Sequence, residues 1–446
     1  MRNRVFCAFV ALAVLFCSAF SSSASSVEDW EEKWDAAVSN GSVVSLSPGS
    51  DETQIRFRFL APLGSKPEFR CADHENLTDA DALDVQRTPT VTGKLCCTVS
   101  ADGLKPDTTY YYAYKTGDAW SVAYAFHTPG TALTALFVSD SQIGRSGNWR
   151  DKAVLLHDVA GWDTTLCEAA GIFPEISLCL SAGDQAEIGF SEQQFRLFLA
   201  PDVMRGLPIA TTVGNHEFYY PCLNLHFAHP NRYGGSILHS LGNEPYYFAQ
   251  KNALFIVLDT NDPIAWDHEA VIERAVQSYP DTKWRVVMMH HSLYSCEDSF
   301  DDGPNLRGRL TSVLQKYGVD LVLSGHTHRY SRSFPLWDNE IAQSGVTYLE
   351  GGCCSGCNCK PSPETLPSYS AAGYPKTNPV YSVLRFGEDE ITVQAFAVED
   401  GESVEIDSAA VLPCPNNDED AHSSQIVRIL HGALSLFGRA FSVLFR

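Results

Sequence analysis

Basic side chains are scarce in this chain: 32 Lys and Arg stand against 54 Asp and Glu, a formal net charge of −22 at pH 7. Nucleic acid is thereby excluded as a bulk partner, because such binding needs a basic footprint that neutralises many phosphates. The far field also opposes small anions, so attraction for an anionic ligand must be local, and bound divalent cations are its natural source. No convincing membrane span opens the chain, since the apolar stretch 5–20 that follows Met1, Arg2, Asn3 and Arg4 is too short for one. Ended by the small residues 21–26, it reads instead as a secretory signal peptide over 1–24, with Ala24 the last residue before cleavage. A lipid anchor on Cys17 is the lesser alternative, because Phe16 before it is bulky for that processing.

A length of 446 residues exceeds one ordinary core and favours two or three domains. Fourteen cysteines, less Cys7 and Cys17 in the leader, leave twelve, and an even count in an exported chain reads as a disulfide set. Cys71 with Cys96 or Cys97 would staple the N-terminal part. The cluster CCSGCNC at 353–359 reads as disulfides before zinc, because adjacent thiols suit one tetrahedral site poorly.

Residues 42–130 alternate apolar and polar positions in short runs broken by turns, as in QIRFRFL (54–60) and TYYYAYK (109–115). That predicts an all-β sandwich with no titratable cluster. From 131 to 399 apolar strands alternate with helix-spaced segments. Strands are predicted at 132–139, 176–181, 208–213, 254–259, 284–290 and 319–324, and helices at 151–170, 192–199, 268–279 and 306–317. The stretches 346–350, 380–386 and 391–398 read as strands of a second sheet. Residues 400–423 turn acidic and read as a spacer.

Five short blocks follow apolar runs in order: SDSQ (139–142), AGDQ (182–185), GNHE (214–217), MMHH (288–291) and GHTH (325–328). Polar residues just past strand ends are where open α/β sheets build sites. Taken singly they are weak signals: Asp140 or Asp184 is more often a helix cap, Asn215 a turn residue, and His291 a residue that supports the ligands from behind or faces solvent rather than a ligand. In this order they supply seven oxygen and imidazole ligands, Asp140, Gln142, Asp184, Asn215, His290, His326 and His328, to a two-metal centre with Asp184 as the bridge.

These blocks resemble the calcineurin-like metallophosphoesterase superfamily. The N-terminal sandwich, similar to a fibronectin type III module, together with GNHE and GHTHRY, points to its purple acid phosphatase-like branch. The resemblance covers residues 42–398 and implies a four-layer (αββα) catalytic domain of two sheets flanked by helices. By analogy Asp140, Gln142, Asp184 and His328 hold one metal ion, and Asp184, Asn215, His290 and His326 the other, as two divalent or mixed-valence ions of Fe, Zn or Mn. Two features depart from that branch. Glu187 stands where its colour-giving tyrosine would be, three residues after Asp184, and the spacing of Asp140 and Gln142 matches other metallophosphoesterases.

The reading is a secreted phosphomonoesterase on a small phosphorylated substrate, with a metal-bridging hydroxide as nucleophile and His216 as general acid beside Asn215. Arg145 and Arg329 are candidate phosphate contacts, or surface charges. A phosphodiesterase or nucleotide pyrophosphatase on the same centre is the alternative within the enzymes. A non-catalytic surface-binding protein is the alternative outside them, and it would be signalled by a lost ligand. In residues 424–446 the polar positions Arg428, His431, Ser435, Arg439, Ser442 and Arg446 form a narrow stripe on a helix. Such a helix either lies on an anionic membrane surface or packs on the catalytic domain. With Glu187 in the tyrosine's place, the purified, iron-loaded protein is predicted to show no visible charge-transfer band; an absorption spectrum checks this, and a purple sample contradicts it.

Overall fold

The structure, a computed structural model, describes residues 25–38, 43–218, 220, 222–234, 243–262, 265–297 and 306–415. The expected signal peptide and C-terminal helix lie outside the described residues.

The first element was not foreseen. A helix, Val27–Val38, starts where Ser26 and Asp29 exchange hydrogen bonds, Ser26 N to Asp29 Oδ2 at 2.8 Å and Asp29 N to Ser26 Oγ at 3.2 Å. That reciprocal pairing satisfies amide donors that a helix start leaves open. Its Trp30 is buried and donates from Nε1 to Asp163 Oδ2 at 3.2 Å, which fastens the helix to the long helix Lys152–Ile172.

Two four-stranded antiparallel sheets follow. One orders Ser45–Pro48, Ile55–Pro62, Lys94–Ala101 and Gln86–Pro89; the other Ala82–Leu83, Glu68–Ala72, Thr109–Lys115 and Tyr124–His127. Their inward faces meet in rings, with Phe57 4.6 Å from Phe69 and 5.0 Å from Tyr112 between centroids. The expected staple is absent: Cys71, Cys96 and Cys97 are free thiols. Adjacent strand residues face opposite ways. Cys97 packs in this core, whereas Cys96 Sγ lies 3.9 Å from Asn224 O, towards the second domain. The sandwich is joined to that domain by Tyr112, whose hydroxyl donates to Arg205 O at 2.8 Å, and by Arg56 Nη1, which donates to His229 O at 2.9 Å.

The second domain stacks a six-stranded sheet (Ile209–Thr211, Leu178–Ser181, Leu133–Val138, Val380–Phe386, Ile391–Glu399, Glu402–Val411) on a seven-stranded one. The latter orders Tyr246–Gln250, Ala253–Val257, Trp284–Met288, Leu321–Ser324, Thr347–Gly351, Tyr330–Ser333 and Ser370–Gly373. Phe137, Leu180, Phe255, Val286, Leu323 and Leu384 share the apolar layer between them. Helices Lys152–Ile172 and Glu192–Leu199 pack with Val27–Val38 on the outer face of the first sheet, and Ala265–Ser278 and Leu306–Lys316 on that of the second. This is the four-layer arrangement that the resemblance implied.

Two expectations are corrected. The late strands do not form one sheet: Val380–Phe386 pairs antiparallel with Leu133–Val138, whereas Thr347–Gly351 pairs parallel with Leu321–Ser324. Strand partners far apart in sequence leave no local trace. The acidic stretch after Asp400 is not a spacer at its start, because residues Glu402–Val411 form the edge strand beside Ile391–Glu399. Its acids are ordered by use as well as exposed. Asp407 takes Arg332 Nε at 2.7 Å and Nη2 at 3.0 Å, and accepts from Tyr330 OH at 2.8 Å. Breaking a largely buried ion pair strands its partner. Asp407→Ala is therefore predicted to destabilise the protein by about 3 kcal/mol in urea unfolding.

Candidate metal centre

Five strand ends converge on one point. Asp140 and Gln142 follow Leu133–Val138, Asp184 follows Leu178–Ser181, and Asn215 and His216 follow Ile209–Thr211. His290 follows Trp284–Met288, and His326 and His328 follow Leu321–Ser324. Two overlapping groups can each hold a cation, Asp184 with His290 and His326, and Asp140 with Asp184 and His328; the donor atoms within each lie within 4.8 Å of one another. Asp184 is common to both. Its Oδ2 is 3.3 Å from His290 Nε2, which is itself 3.0 Å from Asn215 Oδ1 and 3.1 Å from His326 Nδ1. His328 Nε2 is 3.5 Å from Asp140 Oδ1. All seven candidate ligands thus lie on neighbouring loops, Gln142 reaching the others through His216 at 2.8 Å.

The backbone is held in an unusual state to do this. Asp140, Gln142, Asp184, His326 and His328 have φ of 49°, 40°, 52°, 78° and 62°. Non-glycine residues avoid this region, and such strain persists only where surrounding structure imposes it. Loop-to-loop hydrogen bonds impose it here: Asp140 N donates to Gly183 O at 3.2 Å and Gln142 N to Asp184 O at 2.8 Å. Gly214 has no room for a side chain, since a Cβ would collide with the Asp184 carboxylate.

The donors fit cations. Asp140 Oδ1 and Gln142 Oε1 are buried without a hydrogen-bond partner, a costly condition that a bound cation removes. Burial pushes the Asp140 carboxyl up to about 7. Burial acts likewise on Asp184, but the His290 ring beside it outweighs that and holds it well below the usual carboxylate range. Burial alone would depress His290, yet the Asp184 carboxylate raises it to about 10. Each of these rings and carboxylates is an ordinary ligand for Zn, Fe or Mn.

Residues 133–330 match the family model described as calcineurin-like phosphoesterase. This is a calcineurin-like phosphoesterase domain. Among curated relatives, the phosphoenolpyruvate phosphatase of Allium cepa is 29% identical over 252 residues, covering 53% of this chain and 50% of that protein. Purple acid phosphatase 1 of Ipomoea batatas is 27% identical over 338 residues, covering 62% of each chain. The chain thus spans only about half the length of the first of these relatives. Among solved structures, the purple acid phosphatase PPD1 of yellow lupin (Lupinus luteus) superposes with a TM-score of 0.65 at 15% identity, covering 83% of this chain and 74% of that one. At that identity the likeness speaks for the fold.

Within the phosphoesterase domain a further layer of residues orients the candidate ligands, and sequence reasoning gave it no role. Glu217, fully buried, accepts from Asp184 N at 3.1 Å and Gly214 N at 2.9 Å with Oε2, and from Ala186 N at 3.1 Å with Oε1. Burial and the nearby Asp184 push it up to about 8, against three N–H groups that favour its ionised form. His290 Nδ1 donates to Ala182 O at 2.8 Å, which leaves Nε2 turned to Asp184. His328 Nδ1 is likewise 3.1 Å from Asn358 O, so its Nε2 faces Asp140. Asn358 belongs to the cysteine cluster, where Cys353 and Cys359 are bonded to each other and Cys354 and Cys357 are free. The bridged loop backs the centre, with the Cys357 thiol 3.3 Å from Ser141 O.

The remaining candidates sit at the rim. Arg145 Nη1 pairs with Glu187 Oε1 at 3.2 Å, and Arg329 Nη2 with Glu297 Oε2 at 3.4 Å. His291 packs against the candidate ligands, its ring 4.6 Å from that of His326 and 5.2 Å from that of His290 between centroids, with Nδ1 2.8 Å from Thr260 Oγ1. His216 hangs between loops, Nδ1 2.7 Å from Glu187 O and Nε2 3.9 Å from Asp184 Oδ2. Glu217→Gln turns an amide NH2 towards backbone N–H groups; it is predicted to cost about 2 kcal/mol in thermal unfolding and to weaken metal retention against a chelator.

Proposed function

We propose that this protein is a two-metal phosphomonoesterase. The observation that carries the reading is Asp184, common to both cation-binding groups and flanked by His216. Asp140, Gln142, Asp184 and His328 would hold one ion, and Asp184, Asn215, His290 and His326 the other. When bound, the two ions supply Lewis acidity to the phosphate oxygens and lower the pKa of water. The named relatives that are phosphatases support the same reaction class.

The chain's own groups do the rest. Gln142 donates its amide N–H to His216 Nε2, which leaves Oε1 for a cation and seats the ring. His216 keeps the Nδ1 proton on the Glu187 carbonyl. Acting as general acid, the ring takes a second proton on Nε2, giving up the hydrogen bond from Gln142 there, and passes that proton to the leaving oxygen. The Glu187 carboxylate, 3.4 Å from Nδ1, places negative charge beside that imidazolium. Arg145, tied to the same Glu187, is the closest of the two candidate arginines by connection to this ring and is the proposed phosphate contact. Arg329, held by Glu297, has no such tie. Export of the enzyme belongs to the same proposal and rests on residues 1–24. Among the described residues no helix is long and apolar enough to cross a membrane.

Metal analysis together with hydrolysis of an aryl monoester and its diester analogue tests the proposal. The monoester is predicted to be the better substrate. Asp184→Asn or His290→Ala should abolish turnover and lower metal content with the fold kept. His216→Ala should retain both ions and lose about two to four orders of magnitude on alkyl esters, less on esters with a good leaving group. Near-normal turnover in a folded Asp184→Asn variant contradicts the assignment.

A further inference from the structure

We propose that Trp149, Phe190 and Tyr220 form a subsite for a planar aromatic leaving group beside His216. This rests on the phosphomonoesterase reading and adds a substrate class to it, phosphate esters whose alcohol bears an aromatic ring.

Each of the three rings stands on a different loop, and each of those loops carries a candidate ligand or the proposed acid: Trp149 beyond Gln142, Phe190 beyond Asp184, Tyr220 beyond His216. They nonetheless meet. Phe190 lies edge-on to Trp149 at 6.2 Å and 87°, and to Tyr220 at 4.9 Å and 67°, between ring centroids. The cluster is not part of a core, since Phe190 is 56% exposed and Tyr220 37%. Partly exposed aromatic rings clustered outside a core gain by contact with a ligand that covers them.

Their place relative to the chemistry is set by the backbone. Gly189 N donates to His216 O at 3.2 Å, and Glu187 O lies 2.7 Å from His216 Nδ1, so the segment leading into Phe190 is bound to the His216 residue twice. The approach is close enough that a Cβ on Gly189 would stand 2.5 Å from His216 O and 2.8 Å from Glu217 Cα. Tyr220 is anchored on the other side, its N donating to Glu217 O at 3.0 Å. The proposed subsite would receive the group that takes its proton from His216. Aromatic rings suit a planar ring by stacking or edge contact, which a saturated ring of similar size cannot match. Trp149 carries the Arg150 guanidinium 4.0 Å from its ring centroid, which holds the outer wall of the subsite in place.

Phenethyl phosphate and 2-cyclohexylethyl phosphate separate planarity from size and from leaving-group basicity, because both release a primary alkoxide. The metal-loaded wild type is expected to show a KM about five- to tenfold lower for the phenyl ester, the size of one aromatic contact. Phe190→Leu should bring the ratio of the two KM values to unity and Phe190→Tyr should keep it. Calorimetric titration with the two matching phosphonates reads the same preference without turnover. Equal affinity for phenyl and cyclohexyl forms in the wild type, or a preference that survives Phe190→Leu, overturns the subsite. Tighter binding of the phenyl phosphonate without hydrolysis of either ester upholds the subsite and defeats the phosphomonoesterase reading instead.

Discussion

Three carboxylates buried at one place set the terms for this molecule. Asp140, Asp184 and Glu217 are each almost without solvent exposure, and Asp184 adds to the repulsion felt by both of the others. Burying like charges together is among the least favourable arrangements a protein can hold unless positive charge or aligned donors answer it. The answer here is in two parts. Backbone N–H groups converge on Glu217 and on Asp184, and imidazoles crowd Asp184. The lone pairs left on Asp140 Oδ1 and Gln142 Oε1 remain for cations.

Such a cluster has to be imposed by the scaffold, and the layers supply the means. Strands from both sheets end at the same level, so ligands carried by Leu133–Val138 and Leu178–Ser181 face ligands carried by Trp284–Met288 and Leu321–Ser324. The apolar layer between the sheets fixes their spacing. The left-handed conformations at the strand exits then turn the side chains inward, and the loop behind His328, closed by the Cys353 to Cys359 bond, gives its ring one orientation. Secondary structure thus supplies position, and strain supplies direction.

Charge divides by distance in the same way. The net charge of −22 keeps anions away from most of the surface, while cations held by the candidate ligands would attract them at short range. Arg145 stays at the rim in a pair with Glu187, next to the ring of His216. In the proposed reading, specificity falls to contacts outside the charged core, where Phe190 and Tyr220 stand.

The residue series Asp140, Gln142, Asp184, Asn215, His290, His326 and His328 was legible because strand exits are local features: an apolar run followed by chemically matched side chains needs no knowledge of what lies opposite. The helix Glu192–Leu199 and the strand Val380–Phe386 were legible for the same reason, as runs of one period with clear ends. Tertiary structure alone decided what depends on partners. Glu217 reads as one more acid in a motif until three amides point at it, and Asp407 reads as spacer until Arg332 meets it. The sharing of late strands between two sheets, the pairing of Cys353 with Cys359 rather than Cys71 with its neighbours, and the meeting of Trp149, Phe190 and Tyr220 are of the same kind. Periodicity and motif order are written along the chain, whereas long-range contacts depend on how separate segments close around a common core, which no single segment encodes.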